Sequence, residues 1–367
     1  MLLAGVVSVV SEVRVGLLGA GNIGTVHLQS TRGIDGARVV AAADVVAANR
    51  TRAENQGVPR TYEDYTDLLA EEDVDAAIVA LPPFLHAEAA VAAAEAGCHV
   101  FVEKPFARTV EEGRRMLDAA EENDVSVGVD HTIRYQPEVR KLKQLYDEGR
   151  IGDVPLASIA RINNGPFSAP PAREPVSGWM LDPDATGGGA LMDLGVHLFD
   201  VLEHFFGELT VEYAHVDSSM DLPYEDSALV VVSTEAGTQA TVSAGFFQWE
   251  TPPEITGYFR LEGVADTLRS EDYLPKQFTA YAAKSALENV SKRARGQEPA
   301  YFKPTYYYQA HYHALKDFLD AVGAGEEPPV NGAAGLRMVE HVQTAYEMAE
   351  GTAAARDAGA DVEVTDD

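Results

Sequence analysis

The sequence predicts an α/β fold in two parts: a doubly wound parallel sheet over residues 13–134, then an α+β domain of mostly antiparallel strands over residues 135–355. Three observations carry that expectation. From Val13 to about His131 short β-branched runs alternate with Ala- and Glu-rich helical stretches, the pattern of parallel strands joined by right-handed crossovers. The first of these strands runs directly into "GAGNIG", Gly19 to Gly24. After Tyr135 a helix and a Pro- and Gly-rich stretch precede short alternating runs that read as a meander.

The strands of the first part are "VRVGLLG", "ARVVAAAD", "AAIVAL", "HVFVE" and "VSVGVD", with helices after each of the first four. One of those helices, Val110 to Asn123, places Val110, Met116, Leu117 and Ala120 at helical spacing. "QPEVRKLKQLYDEGRIG" reads as a helix that tolerates Pro137 near its start and ends at Gly149. A loop over Asn163 to Gly189 leads to a helix from Leu191 to Phe206, and then come "LTVEYAHVDS", "SALVVVSTEAG", "TQATVSAGFF" and "EITGYFRLEG". Two helices, Tyr306 to Ala324 and Gly335 to Ala355, precede an acidic tail.

The chain of 367 residues carries a net charge of -30, with 58 acidic residues against 28 basic ones, of which 8 are Lys. A field of that sign repels phosphate, which argues against nucleic acid and anionic membranes. Self-repulsion of this size is relieved by salt, so a halophilic cytoplasm is the expected setting. The single cysteine, Cys98, lies in an apolar stretch and is expected to be reduced and interior. The apolar start lacks a basic region and runs into the first strand, and no segment offers the roughly 18 apolar residues that span a bilayer. A soluble protein is expected.

In "GAGNIG" the first glycine, Gly19, makes a tight turn, Gly21 lets backbone approach a pyrophosphate, and Gly24 lets helix and strand pack closely, with Asn22 and Ile23 opening the helix. Asp44 ends the second strand, 20 residues past Gly24. A carboxylate there accepts from ribose hydroxyls and repels a 2'-phosphate, which favours NAD while leaving NADP possible. Arg50 and Arg52 follow on the next helix and are expected at the surface.

"VFVEKPFA" ends a buried run in an acid, a base and a proline. Ligand crevices form at strand carboxyl ends, so Glu103 and Lys104 are expected beside the cofactor, with Pro105 aiming Lys104 off the sheet. Taken alone, Lys104 also fits a lysine snorkelling beside Glu103. Pro82, Pro83 and His86 build another crevice wall, with His86 facing either solvent or the nicotinamide region. In "GGGALMDLGVHLFD" Asp193 and His197 are four apart and share a helix face, so His197 held by Asp193 is a candidate general base. The three glycines ahead of them are expected to leave room for a ligand. His204 lies too far along the helix to complete a metal site, and no metal is expected.

Together these motifs, with "RYQP" at Arg134 to Pro137, "WMLDPDATGGGALMDLGVHLFD" and "HALKDFLDAVGAGEEPPV", resemble the Gfo/Idh/MocA family, named for glucose-fructose oxidoreductase, inositol dehydrogenase and a rhizopine-catabolism protein. The resemblance implies an N-terminal Rossmann domain, a second domain built on a large open sheet, and nicotinamide-dependent oxidation or reduction of sugars and polyols. It further implies that Lys104, Asp193 and His197 are the catalytic residues and that open sheets pair face to face in a homodimer or homotetramer. "TIRY" at Thr132 to Tyr135 departs from the family's usual stretch, and His131 is a candidate to serve in its place. Tyr135, Trp179 and Asp182 are candidate sugar contacts, by aromatic face and by carboxylate. The cluster "YYYQAHYH", Tyr306 to His313, reads instead as core or interface. Two rival functions share the fold: an NAD-dependent, redox-neutral glycosidase and a dinucleotide-binding sugar sensor.

Overall fold

The computed structural model describes residues 12–167, 177–247, 256–273 and 306–360, together with five positions between 287 and 295. The basic run from Lys284 to Arg295 and part of the loop before Trp179 lie largely outside the described residues.

The first sheet contains β1 (Val13–Leu18), β2 (Ala37–Ala43), β3 (Arg60–Tyr62), β4 (Ala76–Val79), β5 (His99–Val102) and β6 (Val127–Val129). Its order is β3-β2-β1-β4-β5-β6, and every pairing is parallel. The order reverses between β1 and β4, which opens a crevice at their carboxyl ends. Helices α1 (Asn22–Arg32), α2 (Ala47–Asn55), α3 (Tyr65–Glu71), α4 (His86–Glu95) and α5 (Val110–Glu122) make the crossovers. The α5 boundary is set locally, since the Thr109 hydroxyl accepts from the Glu112 N–H, and Met116, Ala119 and Ala120 turn inward. Cys98 is buried and free.

The second sheet has the order β12-β11-β7-β10-β9-β8. Helix α6 (Pro137–Asp147) leads to β7 (Leu156–Ile162), and α7 (Pro183–Thr186) and α8 (Val196–Phe206) precede β8 (Leu209–Asp217), β9 (Ser227–Thr234), β10 (Gln239–Gly245), β11 (Thr256–Glu262) and β12 (Thr267–Arg269). All neighbours are antiparallel except β7 and β10. Strand β7 is not among the strands that the sequence pattern predicts. Its partners β10 and β11 lie some eighty or more residues ahead, so no hairpin turn marks it, and its burial alternates only in part.

The final helices, α9 (Tyr306–Ala324) and α10 (Gly332–Ala360), run back across the molecule. Helix α9, expected from its place in the chain to belong to the second domain, packs against α1 and β5 of the first sheet. Leu315, Phe318 and Leu319 share one core cluster with Val15, Leu17 and Phe101, and the Phe318 and Phe101 ring centroids are 5.1 Å apart. Helix α10 packs against β8, α5 and α8 and so touches both halves.

Candidate active site

The glycine loop is built as a cradle. Gly19 takes φ +97°, and a Cβ there would lie 2.4 Å from the Ala80 carbonyl oxygen; one on Gly24 would lie 2.0 Å from the Gly19 oxygen. These two glycines are required by the chain's own close approach. A Cβ on Gly21 meets nothing within 4 Å, so that glycine borders open space beside the start of α1. No side chain caps α1 and no acid sits in its first turn, which leaves its N–H groups and positive dipole end for an anion. The loop thus fits a pyrophosphate.

Asp44 stands where the sequence placed it. Its Oδ2 accepts from the Ala20 N–H at 2.8 Å and from Asn49 Nδ2 at 3.0 Å, and its Oδ1 accepts from the Val46 N–H at 2.8 Å. The expectation of outward-facing arginines fails. Arg50 donates to the Asp44 carbonyl at 2.6 Å, and Arg52 to the Ala20 carbonyl at 3.2 Å and to the Asn49 side chain. Helix α2 starts so close to Asp44 that both guanidinium groups satisfy loop carbonyls instead of reaching into solvent.

At the end of β5 the two neighbours divide. Lys104 projects into the crevice, where its Nζ donates to the Asp193 carboxylate and, at 3.1 Å, to the Asp193 carbonyl. Glu103 turns the other way and is buried, with His27 Nε2 2.6 Å from its Oε1. Burial works against its charge, yet His27 and His311 hold the carboxyl down at about 2. Glu103 is therefore not placed as a cofactor contact. It belongs to a buried quartet of His27, Glu103, Asp130 and His311 whose possible ligand atoms all lie within 4.8 Å of one another. Within it, imidazole–carboxyl hydrogen bonds join His27 to Glu103 and His311 to Asp130. His311 comes from the aromatic cluster that reads as core; nothing in its helical spacing announces a partner 181 positions away.

His86 is also corrected. It is buried, with Nδ1 2.9 Å from the Pro105 carbonyl and Nε2 2.8 Å from the Leu81 carbonyl. Both ring nitrogens are engaged, so it ties the Pro82 turn to the Lys104 loop and faces neither solvent nor cofactor. Pro82 itself opens the short turn Pro83–Leu85 at the crevice wall.

The Asp193 and His197 pair does not form. Leu191–Gly195 is a π turn, and α8 proper begins at Val196. Asp193 goes to Lys104, and the Nδ1 of His197 has no hydrogen-bond partner. His197 is 5% exposed, whereas the Lys104 and Asp193 side chains keep 23% and 37% of their surface open to the crevice. Burial, and then the charge of Lys104, hold the His197 imidazole well below its usual range, so it is neutral near pH 7.

His131, expected only as a stand-in for the divergent stretch, comes forward. Its ring meets that of His197 edge to face with centroids 5.7 Å apart. Three residues on, Arg134 clamps the buried Asp200 through both nitrogens of its fork, Nε at 2.9 Å. Positions 131 and 134 on one segment thus match 197 and 200 on α8. Breaking such a buried pair costs about 3–5 kcal/mol, so the clamp holds the imidazoles together.

The other sugar-contact candidates separate. Tyr135 is wedged between the two large core clusters and borders a hollow lined by Pro137, Arg140 and His313, none of them residues of the crevice. The Asp182 side chain caps α7 by accepting from the Asp184 N–H at 3.0 Å. Trp179 is half-buried on the turn Gly178–Leu181, which Tyr224 anchors through the Met180 carbonyl. Of the three, only Trp179 remains a candidate contact.

Residues 13–131 match the oxidoreductase family described as having an NAD-binding Rossmann fold, and residues 139–263 match the GFO/IDH/MocA C-terminal domain. The chain belongs to the Gfo/Idh/MocA oxidoreductase family. It is 27% identical over 333 residues to a myo-inositol 2-dehydrogenase of Thermotoga maritima, covering 88% of this chain and 92% of that one. It is also 27% identical over 319 residues to D-xylose 1-dehydrogenase (NADP(+)) 2 of Haloferax volcanii, covering 87% and 91%. In fold it resembles the WlbA dehydrogenase of Bordetella pertussis, crystallised with NADH and UDP-GlcNAcA, with a TM-score of 0.75 at 22% identity over 93% of this chain and 96% of that one. The first sheet of this Gfo/Idh/MocA protein is accordingly an NAD-binding Rossmann domain. Among the described residues no helix is long and apolar enough to cross a membrane.

Proposed function

We propose that this oxidoreductase transfers hydride between NAD and a hydroxyl or carbonyl carbon of a sugar, polyol or inositol, with Lys104, Asp193 and His197 as its catalytic residues. The observation that carries the reading is a charged Lys104–Asp193 pair open to the crevice in front of a buried, neutral His197. Bound NAD supplies the hydride acceptor. The substrate hydroxyl sits between Lys104 and His197. His197 accepts the hydroxyl proton as the carbon loses hydride and the C=O bond forms. Lys104, held by Asp193, donates to the oxygen and steadies its partial negative charge. Trp179 offers an aromatic face to the sugar's C–H surface. Asp44 favours NAD at the ribose, while Arg50 and Arg52 at the same loop leave NADP possible.

The same reading includes a homo-oligomer in a salt-rich cytoplasm. Tyr258, Ala160, Ser243 and Leu229 fall in one row across the second sheet, and the exposed Tyr258 and Leu229 suit a face covered by a second copy, a pairing that size-exclusion chromatography with light scattering tests.

Absorbance at 340 nm in molar KCl, with NAD or NADP offered against pentoses, hexoses and inositols, tests the activity. NADH appearing with one sugar subset supports the dehydrogenase; tight NAD binding without NADH favours the redox-neutral glycosidase or the sensor. Lys104→Ala is expected to keep NAD affinity and lose about 10²- to 10⁴-fold in turnover, and unchanged turnover would refute the role of Lys104.

A further inference from the structure

The segment that carries Asp193 is held from outside by one half-buried acid. Glu225, between β8 and β9, directs Oε1 at the Leu191 N–H (2.9 Å), the Gly189 N–H (3.1 Å) and the Tyr346 hydroxyl of α10 (2.7 Å), and Oε2 at the Gly189 N–H (3.0 Å). Its backbone carbonyl accepts from the Ala190 N–H at 3.0 Å. Every partner is a donor, which suits an acceptor-only carboxylate. The preceding glycines are shaped to this contact: a Cβ on Gly189 would lie 1.9 Å from the Glu225 carbonyl oxygen, and one on Gly188 would lie 2.3 Å from the Tyr346 hydroxyl. Leu191 opens the π turn and Gly189 and Ala190 lead into it, and no side chain within the turn caps these N–H groups.

We infer that Glu225 is a positioning residue: with Tyr346 it holds the amino end of the π turn, so that Asp193 faces Lys104. The inference rests on the proposed roles of Lys104 and Asp193 for its effect on turnover, but its geometric content is independent of catalysis.

The test uses full-length Glu225→Gln, Tyr346→Phe, Asp193→Asn and the Asp193→Asn/Glu225→Gln double variant. Glutamine keeps one oxygen but turns an NH₂ on the Gly189 N–H, donor against donor. The first readout is acetylation of Lys104 by limiting acetic anhydride, followed by peptide mass spectrometry. Glu225→Gln is expected to raise Lys104 labelling severalfold and to match Asp193→Asn, with NAD binding by fluorescence within twofold of the parent. The second readout is kcat with the substrate found by the 340 nm panel. Glu225→Gln is expected to lower kcat about tenfold or more alone and less than twofold in the Asp193→Asn background, the non-additivity of residues acting through one another. Tyr346→Phe moves both readouts in the same direction by less, and stands in if Glu225→Gln does not fold. Unchanged Lys104 labelling in the folded variants overturns the inference, whatever turnover does. Raised labelling with turnover indifferent to Lys104→Ala and Asp193→Asn would sink the catalytic reading and leave the positioning role standing.

Discussion

Two glycine runs each open a helix in this protein, and they do opposite things. In Gly19 to Gly24 the middle glycine faces open space, and the uncapped end of α1 is left for an anion. In Gly187 to Gly189 every position is pressed against protein: a Cβ would lie 2.8 Å from Arg108 Cα, 2.3 Å from the Tyr346 hydroxyl and 1.9 Å from the Glu225 carbonyl oxygen, respectively. The ligand room expected at the second run is not there. A glycine before a helix reports that something comes close; whether that is a ligand or another part of the chain depends on the partner, which lies elsewhere in the sequence.

The largest effect should come from closing the second run. Gly189→Ala forces backbone apart at the Glu225 carbonyl and should cost about 3 kcal/mol or more, read as a large drop in the denaturation midpoint. Gly21→Ala sharpens the contrast, since it meets no protein atom. Its midpoint should stay within a degree or so while NAD affinity falls about tenfold or more, because the added methyl occupies the space the pyrophosphate needs. Equal loss of stability in the two variants would erase the distinction. At the rim of the first run, Asp44→Ala should move the NAD-to-NADP affinity ratio about tenfold towards NADP, as a carboxylate is removed and Arg50 and Arg52 remain.

The smallest effect concerns what titrates. "GAGNIG" contains no ionisable side chain, whereas the second run leads into α8, with His197 and His204. Burial pushes His204 down to about 4, and His197 well below its usual range. Such histidines are neutral when folded and take up protons when unfolded. Their contribution is whole above about pH 6.5 and is lost as pH falls towards the folded value, so the melting temperature should drop by several degrees between pH 7 and 4.5. Oxidation should hold its rate as pH falls through 6.5. A half-loss of kcat/KM near pH 6.5 would mean that the base is an ordinary exposed histidine.

Much of the fold was legible because its signals are local. Strand and helix alternation, the glycine spacing and Asp44 at a strand end each lie within a few dozen residues, and five of the six strands of the observed first sheet answer to them, the three-residue edge strand β3 being the one not expected. The central strand β7 was not legible, since its partners lie far ahead in the chain. Helix α9 declared an apolar face but not which sheet would cover it. At the site, Lys104, Asp193 and His197 could be picked out by residue type and position. Their wiring could not, because four-residue spacing permits a contact without choosing it, and Asp193 is taken by Lys104, 89 positions away, on a turn held by Glu225 and Tyr346 from distant elements. The sequence by itself determined the alternating architecture and the dinucleotide loop, both products of short-range backbone and side-chain preference. Only the tertiary structure decided that Asp193 serves Lys104, that His131 meets His197, and that Glu103, His86 and Tyr135 turn away from the crevice, because each of those choices is made by a packing partner that no local pattern encodes.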